Sequence, residues 1–175
     1  MTPETLRKAF FAALLLQLVI LLLVPLQHAR SLLTGRQVEL QVEPVDPYSF
    51  MKGYYVTLSY RICRPERIAS GLPDLYDGQT VYTVVREGAN GLWVPVSLHL
   101  EPPADLPAGQ LFLKGRKKGW RGISYGIEEY SISESKRREV DQALRKSVDK
   151  ARVRVMVDAD GNAALDSLEI DGVRY

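Results

Sequence analysis

The chain has 175 residues, one domain's worth plus an appendage, with 25% charged and 9% aromatic side chains, which excludes disorder throughout. Its 23 basic and 21 acidic residues give a net charge of +2, too even for a general nucleic-acid-binding field. A single cysteine, Cys63, excludes an intrachain disulfide and leaves the redox compartment open, and two distant histidines, His28 and His99, exclude a His-rich metal cluster.

The N-terminal region carries the strongest signal. "AFFAALLLQLVILLLVPL", Ala9 to Leu26, is 18 residues without a charge. As a helix it spans roughly 27 Å, close to the hydrocarbon thickness of a bilayer. Gln17 is tolerable in a helix, and Pro25 falls near the exit. The rival reading is a cleaved signal peptide with Arg7 and Lys8 as its basic region. Against it, the apolar run is long and "PLQHAR" lacks a small-x-small cleavage site. No cysteine follows the run closely, so it is not a lipoprotein anchor. A soluble core helix so apolar all round would need a large core to hide in. The expected organisation is a short tail (1–8), a single-pass transmembrane signal anchor (9–28), a helical stalk (29–36) that stops at Gly35, and a β-rich domain (37–175). Arg7 and Lys8 before the span nearly cancel Arg30 and Arg36 after it. A short tail before a large domain is the common signal-anchor layout, so the expected location is the cell membrane, with the domain outside the cytoplasm.

After Gly35 the apolar period changes from helical to two. "VELQV" (Val38–Val42) alternates. In "YYVTLSYRI", Tyr54, Val56, Leu58, Tyr60 and Ile62 share one face, and Tyr55, Thr57, Ser59 and Arg61 share the other. "TVYTVV" (Thr80–Val85) and "LWVPVSLHL" (Leu92–Leu100) follow, joined by a hairpin with Asn90-Gly91 at its tip. Pro95 puts the second of these at an edge or a bulge. After the loop Pro102–Gly109, "QLFLKGR" and "GISYGIEEYSI" read as two more strands. Glu134–Ala151 reads as a helix with Ser133 as the candidate N-cap and Val140, Ala143, Leu144, Ser147, Val148 and Ala151 on its inner face. "RVRVMV", a turn at "DADGN" and "AALDSLEI" form a closing hairpin, and Asp171-Gly172 turns once more. The fold class is therefore mainly β (α+β): an N-terminal transmembrane helix, then about seven or eight strands with one packed helix.

"GYYVTLSY", Gly53 to Tyr60, resembles the signature of the GDYXXLXY family. Gly53, Tyr55, Leu58 and Tyr60 match, and Tyr54 replaces the usual Asp. The lead-in with Asp46 and Pro47 is similar to the family's. So is the stretch with Gly126, Ile127, Glu128 and Tyr130, and the hairpin with Asp160 and Gly161. The resemblance implies a bacterial, membrane-anchored, β-rich protein of a family with no established biochemical activity. If the motif Asp serves catalysis or metal binding elsewhere in the family, Tyr54 has lost that role here. Gly53 then supplies a turn, and Tyr54 begins a packed face.

Four features invite a chemical reading. "PYSFMKG" after an anchor is similar to signal peptidases, with Ser49 as nucleophile and Lys114 as base. The Pro-Thr that should follow is absent, and Lys114 sits in a polar stretch, so a turn serine is the better reading. Asp158, Asp160, Asn162, Asp166 and Glu169 fall at EF-hand loop positions 1, 3, 5, 9 and 12, with Leu165 at position 8. But Ala163 stands where the loop needs Gly, and a period-two segment precedes it, so a hairpin turn is favoured. The basic run Lys114, Arg116, Lys117, Lys118, Trp120 and Arg121 suits anionic headgroups or an acidic partner, or else an ordinary solvated hairpin. The tyrosines (Tyr48, Tyr54, Tyr55, Tyr60, Tyr76, Tyr82, Tyr125, Tyr130 and Tyr175) pack sheets or line a ligand cleft. No phosphate loop, dinucleotide fingerprint or zinc spacing occurs. No catalytic residue, cofactor or metal ligand is assigned. The expectation is a non-enzymatic membrane accessory or interaction protein. Its partners are the lipid bilayer and a candidate polytopic membrane protein, and nucleic acid is not among them. The alternatives are a cell-envelope hydrolase of serine–lysine type and a peptide- or ligand-binding module.

Overall fold

The computed structural model describes residues 3–43, 51–52, 55–64, 68, 75–119 and 122–175, with side chains left out at 22–28 and 51–52. Asp46, Pro47, Ser49, Gly53, Tyr54, Trp120 and Arg121 lie outside the described residues, as do Tyr48 and the roles expected of all these positions.

Helix α1 runs unbroken over Pro3–Thr34. It therefore joins the expected span and stalk in one rod of about 48 Å at the usual helical rise. Among the described residues no helix is long and apolar enough to cross a membrane. The described side chains of α1 up to Leu21 include Glu4, Arg7 and Lys8, so the expected span over 9–28 rests on the sequence alone. Gly35 ends the helix, its N–H bonded to the Ser31 carbonyl at 3.0 Å. A Cβ at Gly35 would meet the Val157 nitrogen at 2.8 Å, so the stop is also a close approach to the domain.

The described residues then form twelve strands in three antiparallel sheets. β1 (Arg36–Glu43) pairs with β10 (Ala151–Val157), which pairs with β11 (Ala163–Ile170) and so with β12 (Val173–Arg174); β4 (Ser59–Tyr60) closes the other edge of this five-stranded sheet. A second sheet places β3 (Tyr55–Thr57) between β2 (Met51–Lys52) and β9 (Glu129–Ser131). The third runs β6 (Trp93–His99), β5 (Thr80–Glu87), β7 (Gln110–Lys117), β8 (Ile123–Ser124). The mainly β class holds, with more and shorter strands than the seven or eight expected.

Alternation survives where strands do not. Val56, Leu58, Tyr60 and Ile62 are all buried, as their shared parity requires. Yet "YYVTLSYRI" is not one strand. Val56 pairs with Tyr130 in one sheet, Tyr60 pairs with Val42 in another, and Arg61–Cys63 is a 3-10 turn. Leu58 is the crossing point, and its N–H bonds to the Glu128 carbonyl at 2.8 Å. "GISYGIEEYSI" is likewise cut into β8 and β9 by a turn with Gly126 at φ 81°. Pro95 sits on edge strand β6 beside a bulge, so both expectations for it are met.

Helix α2 spans Arg137–Ser147 between two 3-10 turns, shorter than the expected Glu134–Ala151. Ser147, at φ −142° and ψ 39°, ends it, and Ala151 already belongs to β10. Ser133 makes no side-chain cap bond; its hydroxyl meets that of Ser135 instead. Val140 and Leu144 are fully buried beneath α2, in the same core as β1, β5, β7, β10 and β11.

Candidate functional site

Four of the described signature residues, Leu58, Tyr60, Ile127 and Glu128, converge on the junction of the sheets. Tyr60 is fully buried, and its hydroxyl donates to the Ile127 carbonyl at 2.7 Å. Tyr125 reaches across in return, donating to the Ile62 carbonyl at 2.9 Å. With its one proton so used, the Tyr125 oxygen accepts from Thr83 at 2.5 Å. Glu128 closes the turn beneath them. Its carboxylate accepts from the Tyr125 N–H at 2.5 Å, the Gly126 N–H at 3.1 Å and the Ser124 hydroxyl at 2.9 Å. Tyr130, in the adjoining β9, donates to the Tyr175 carbonyl. Both phenols of this knot are buried and donate to backbone carbonyls inside the protein. Burial pushes both the Tyr60 and Tyr125 phenols well above their ordinary range, with Cys63 and Glu128 adding to the effect on each. Burial, then the Glu128 charge, pushes the neighbouring Cys63 thiol up to about 12, so it stays protonated and inert at neutral pH.

The other face of β7 is open. Lys114, Arg116 and Lys118 alternate outward along this strand and the residue after it, while Leu113 and Gly115 turn inward. Arg116 lies opposite Thr80 on β5 and opposite Ser124 on β8, so two hydroxyls flank the guanidinium in one cross-strand row. A groove of about 440 Å³ runs over this row, walled by the Tyr125–Gly126 turn, by Asn162 and by Ser31 near the end of α1.

The hairpin turn Asp158–Asn162 forms that wall. Asp158 Oδ1 accepts the N–H groups of Asp160 and Asn162 at 3.0 and 2.9 Å. Its Oδ2 accepts the Ser31 hydroxyl at 2.9 Å and the Asn162 amide at 3.1 Å. Burial works against the ionised form, but the bonds from Asn162, Ser31 and Asp160 together outweigh it and hold the carboxyl below its ordinary 3.8. Gly161, at φ 80°, brings the turn against β7. A Cβ there would meet the Phe112 ring at 2.6 Å, and the Gly161 carbonyl accepts the Lys114 N–H at 2.8 Å.

This geometry disposes of the calcium loop. Asp158 is filled by protein donors, Asp160 faces Arg30 at 3.9 Å, and Asp166 bonds Arg174. Strands β10 and β11 flank the turn where an EF-hand needs helices. Among the described residues no group of three or more His, Cys, Asp or Glu could hold a metal ion. The serine–lysine idea finds no buried amine in Lys114, which is exposed. Nor do the described tyrosines share a cleft. Tyr60 and Tyr125 are core, Tyr55 and Tyr76 are exposed, and Tyr82 stacks edge-on to Phe112 with centroids 5.7 Å apart.

Residues 17–168 match the family described as GDYXXLXY protein. The chain belongs to the GDYXXLXY family. No curated protein and no solved structure matches it. Of the matched motif positions, Leu58, Tyr60, Ile127 and Glu128 meet in the junction, Tyr55 and Tyr130 lie on the sheet joined to it, Gly126 makes its turn, and Asp160 and Gly161 shape the hairpin wall of the groove. The family signature missed Tyr125, Thr83, Ser31 and Asp158, which complete the junction and the groove wall. The Asp-x-Asp-Gly-Asn turn was the one sequence sign of Asp158.

Proposed function

We propose that this member of the GDYXXLXY family is a non-enzymatic, membrane-anchored accessory or interaction module. Residues 9–28 are its single-pass signal anchor, and the β-rich domain lies outside the cytoplasm. The observation that carries this reading is the join between helix and domain. The uncharged 18-residue stretch lies within one continuous helix whose last turn is bonded to the domain core through Ser31 and Asp158. Such a join holds the domain against the bilayer surface, a geometry that suits an accessory protein lying beside a polytopic membrane partner. Among the described signature residues, the burial of Tyr60 and the inward bonding of Tyr60 and Glu128 support a binding role over catalysis, since a reacting group needs access to substrate.

Membrane fractionation tests the anchor. The full chain stays in the pellet after alkaline carbonate washing, and a variant lacking residues 2–28 is released. External protease digests the domain on sealed cells or spheroplasts but leaves it intact if the orientation is reversed. In-membrane crosslinking recovers a polytopic protein reproducibly, and its consistent absence would sink the accessory role.

A further inference from the structure

We propose that the groove over β7 binds the phosphate of an anionic lipid headgroup at the membrane surface. The proposal deepens the anchor reading and rests on it. Lys114, Arg116 and Lys118 point to one side of the sheet, and none makes an ion pair with a described residue. Three like charges on alternate positions repel one another, so an arrangement without a carboxylate partner favours an incoming anion. Thr80 stands beside Arg116 in register and offers a hydroxyl donor next to a guanidinium, the combination that phosphate oxygens accept, while Ser124 on the other side already donates to Glu128 at 2.9 Å. The acidic groups nearby are otherwise engaged, Glu128 first, whose carboxylate accepts the Ser124 hydroxyl and the Tyr125 and Gly126 N–H groups. Asp158 lies behind Ser31 and Asn162 with its oxygens filled, Asp160 faces Arg30, and Asp77 accepts the Gly119 N–H at 2.5 Å.

Depth selects the lipid over a soluble anion. Ser31 lines the groove and lies five residues beyond Leu26, the last apolar residue of the anchor. Five residues of helix advance about 7.5 Å, which is about the thickness of one headgroup layer. The groove wall therefore stands at the level of the lipid phosphates, and basic residues beside a membrane anchor are drawn to anionic lipid there. The groove is open along the sheet face, as a ligand presented on a surface requires.

The test uses the full chain in nonionic detergent micelles doped with phosphatidylglycerol or phosphatidylcholine, read by tryptophan fluorescence and by the melting midpoint. Saturable binding to phosphatidylglycerol is expected, and little to phosphatidylcholine. The Lys114→Gln/Arg116→Gln/Lys118→Gln variant should lose on the order of 100-fold in apparent affinity. Its melting midpoint in undoped micelles should match the parent, and Arg116→Lys alone should give an intermediate affinity. Undiminished binding by the triple variant, or none by the parent, would overturn the proposal. So would inorganic phosphate or glycerol 1-phosphate binding as tightly as phosphatidylglycerol, which assigns the groove to a soluble anion. Carbonate extraction reports separately on the anchor: release of the chain from membranes would break the anchor reading while the micelle titration still measured the groove.

Discussion

The two faces of strand β7 use polar atoms in opposite ways. Inward, Gly115 lets the Tyr125 ring lie against the strand, and around that ring the described hydroxyl, amide and carboxylate groups are paired inside the protein. Outward, one residue away, Arg116 has two flanking hydroxyls and makes no ion pair with a described residue. Of the family's named residues that are described, Leu58, Tyr60 and Ile127 are buried in the core, and Gly126, Asp160 and Gly161 lie on the turns that frame the groove. A signature can therefore mark the parts that fix a surface in place while the groups available to a ligand stand next to it.

Tyr60 offers the largest break in that comparison. Tyr60→Ala removes a fully buried ring and strands the Ile127 carbonyl, so a loss of about 3–5 kcal/mol is expected. Chemical denaturation of the full chain in detergent checks it. A loss under about 1 kcal/mol, as for an ordinary surface change, would remove the junction from its structural role. Titration sharpens the same point. The folded-state pKa of Cys63 lies above its ordinary 9.0, so its contribution to stability is complete below pH 9.0 and is lost as pH rises toward about 12. The thiol should therefore resist alkylation at pH 8 in the folded chain and react once denaturant unfolds it.

Much of the inward face was legible in the sequence. Val38, Leu40 and Val42, and Val56, Leu58, Tyr60 and Ile62, announced their burial by period two, and Asn90-Gly91 and Asp171-Gly172 announced their turns. The strand breaks at Leu58 and Gly126 were not legible. Parity continues unbroken through Leu58 while the hydrogen-bonding partner changes from β9 to β1, and alternation records which way a side chain faces, not which strand it pairs with. The groove was legible only as a run of basic residues. Its other walls come from Ser31, Thr80, Ser124 and Asn162, which only the packing of two sheets and a helix brings together.

The helix–domain join should yield a smaller effect. Ser31→Ala removes one donor from Asp158 and should cost about 1–2 kcal/mol at neutral pH. The sign with pH follows from the lowered carboxyl. A depressed folded-state pKa contributes stability that is present above the ordinary 3.8 and is lost as pH falls through the folded value. The difference between parent and Ser31→Ala should therefore shrink in acid below about pH 4. Denaturant midpoints measured from pH 3 to 7 test this, and a gap that widened in acid would contradict the bonding assigned to Asp158.

The smallest expected effect makes the sharpest contrast, because it compares neighbours on one strand. A Cβ at Gly115 would meet Ile123 Cγ2 at 2.5 Å and the Tyr125 ring at 2.8 Å, inside a packed core that cannot move one without the other. Gly115→Ala should therefore cost about 1–3 kcal/mol through overpacking. Arg116→Gln, on the exposed face, should change stability by less than about 0.5 kcal/mol. It should even gain slightly at low salt, since it relieves repulsion from Lys114 and Lys118, and that gain should vanish as added salt shortens the Debye length to a few ångströms. Paired denaturation curves at low and high salt measure both. If Arg116→Gln proved as costly as Gly115→Ala, the arginine would be holding the fold together, and the groove would lose the free cation on which its chemistry depends.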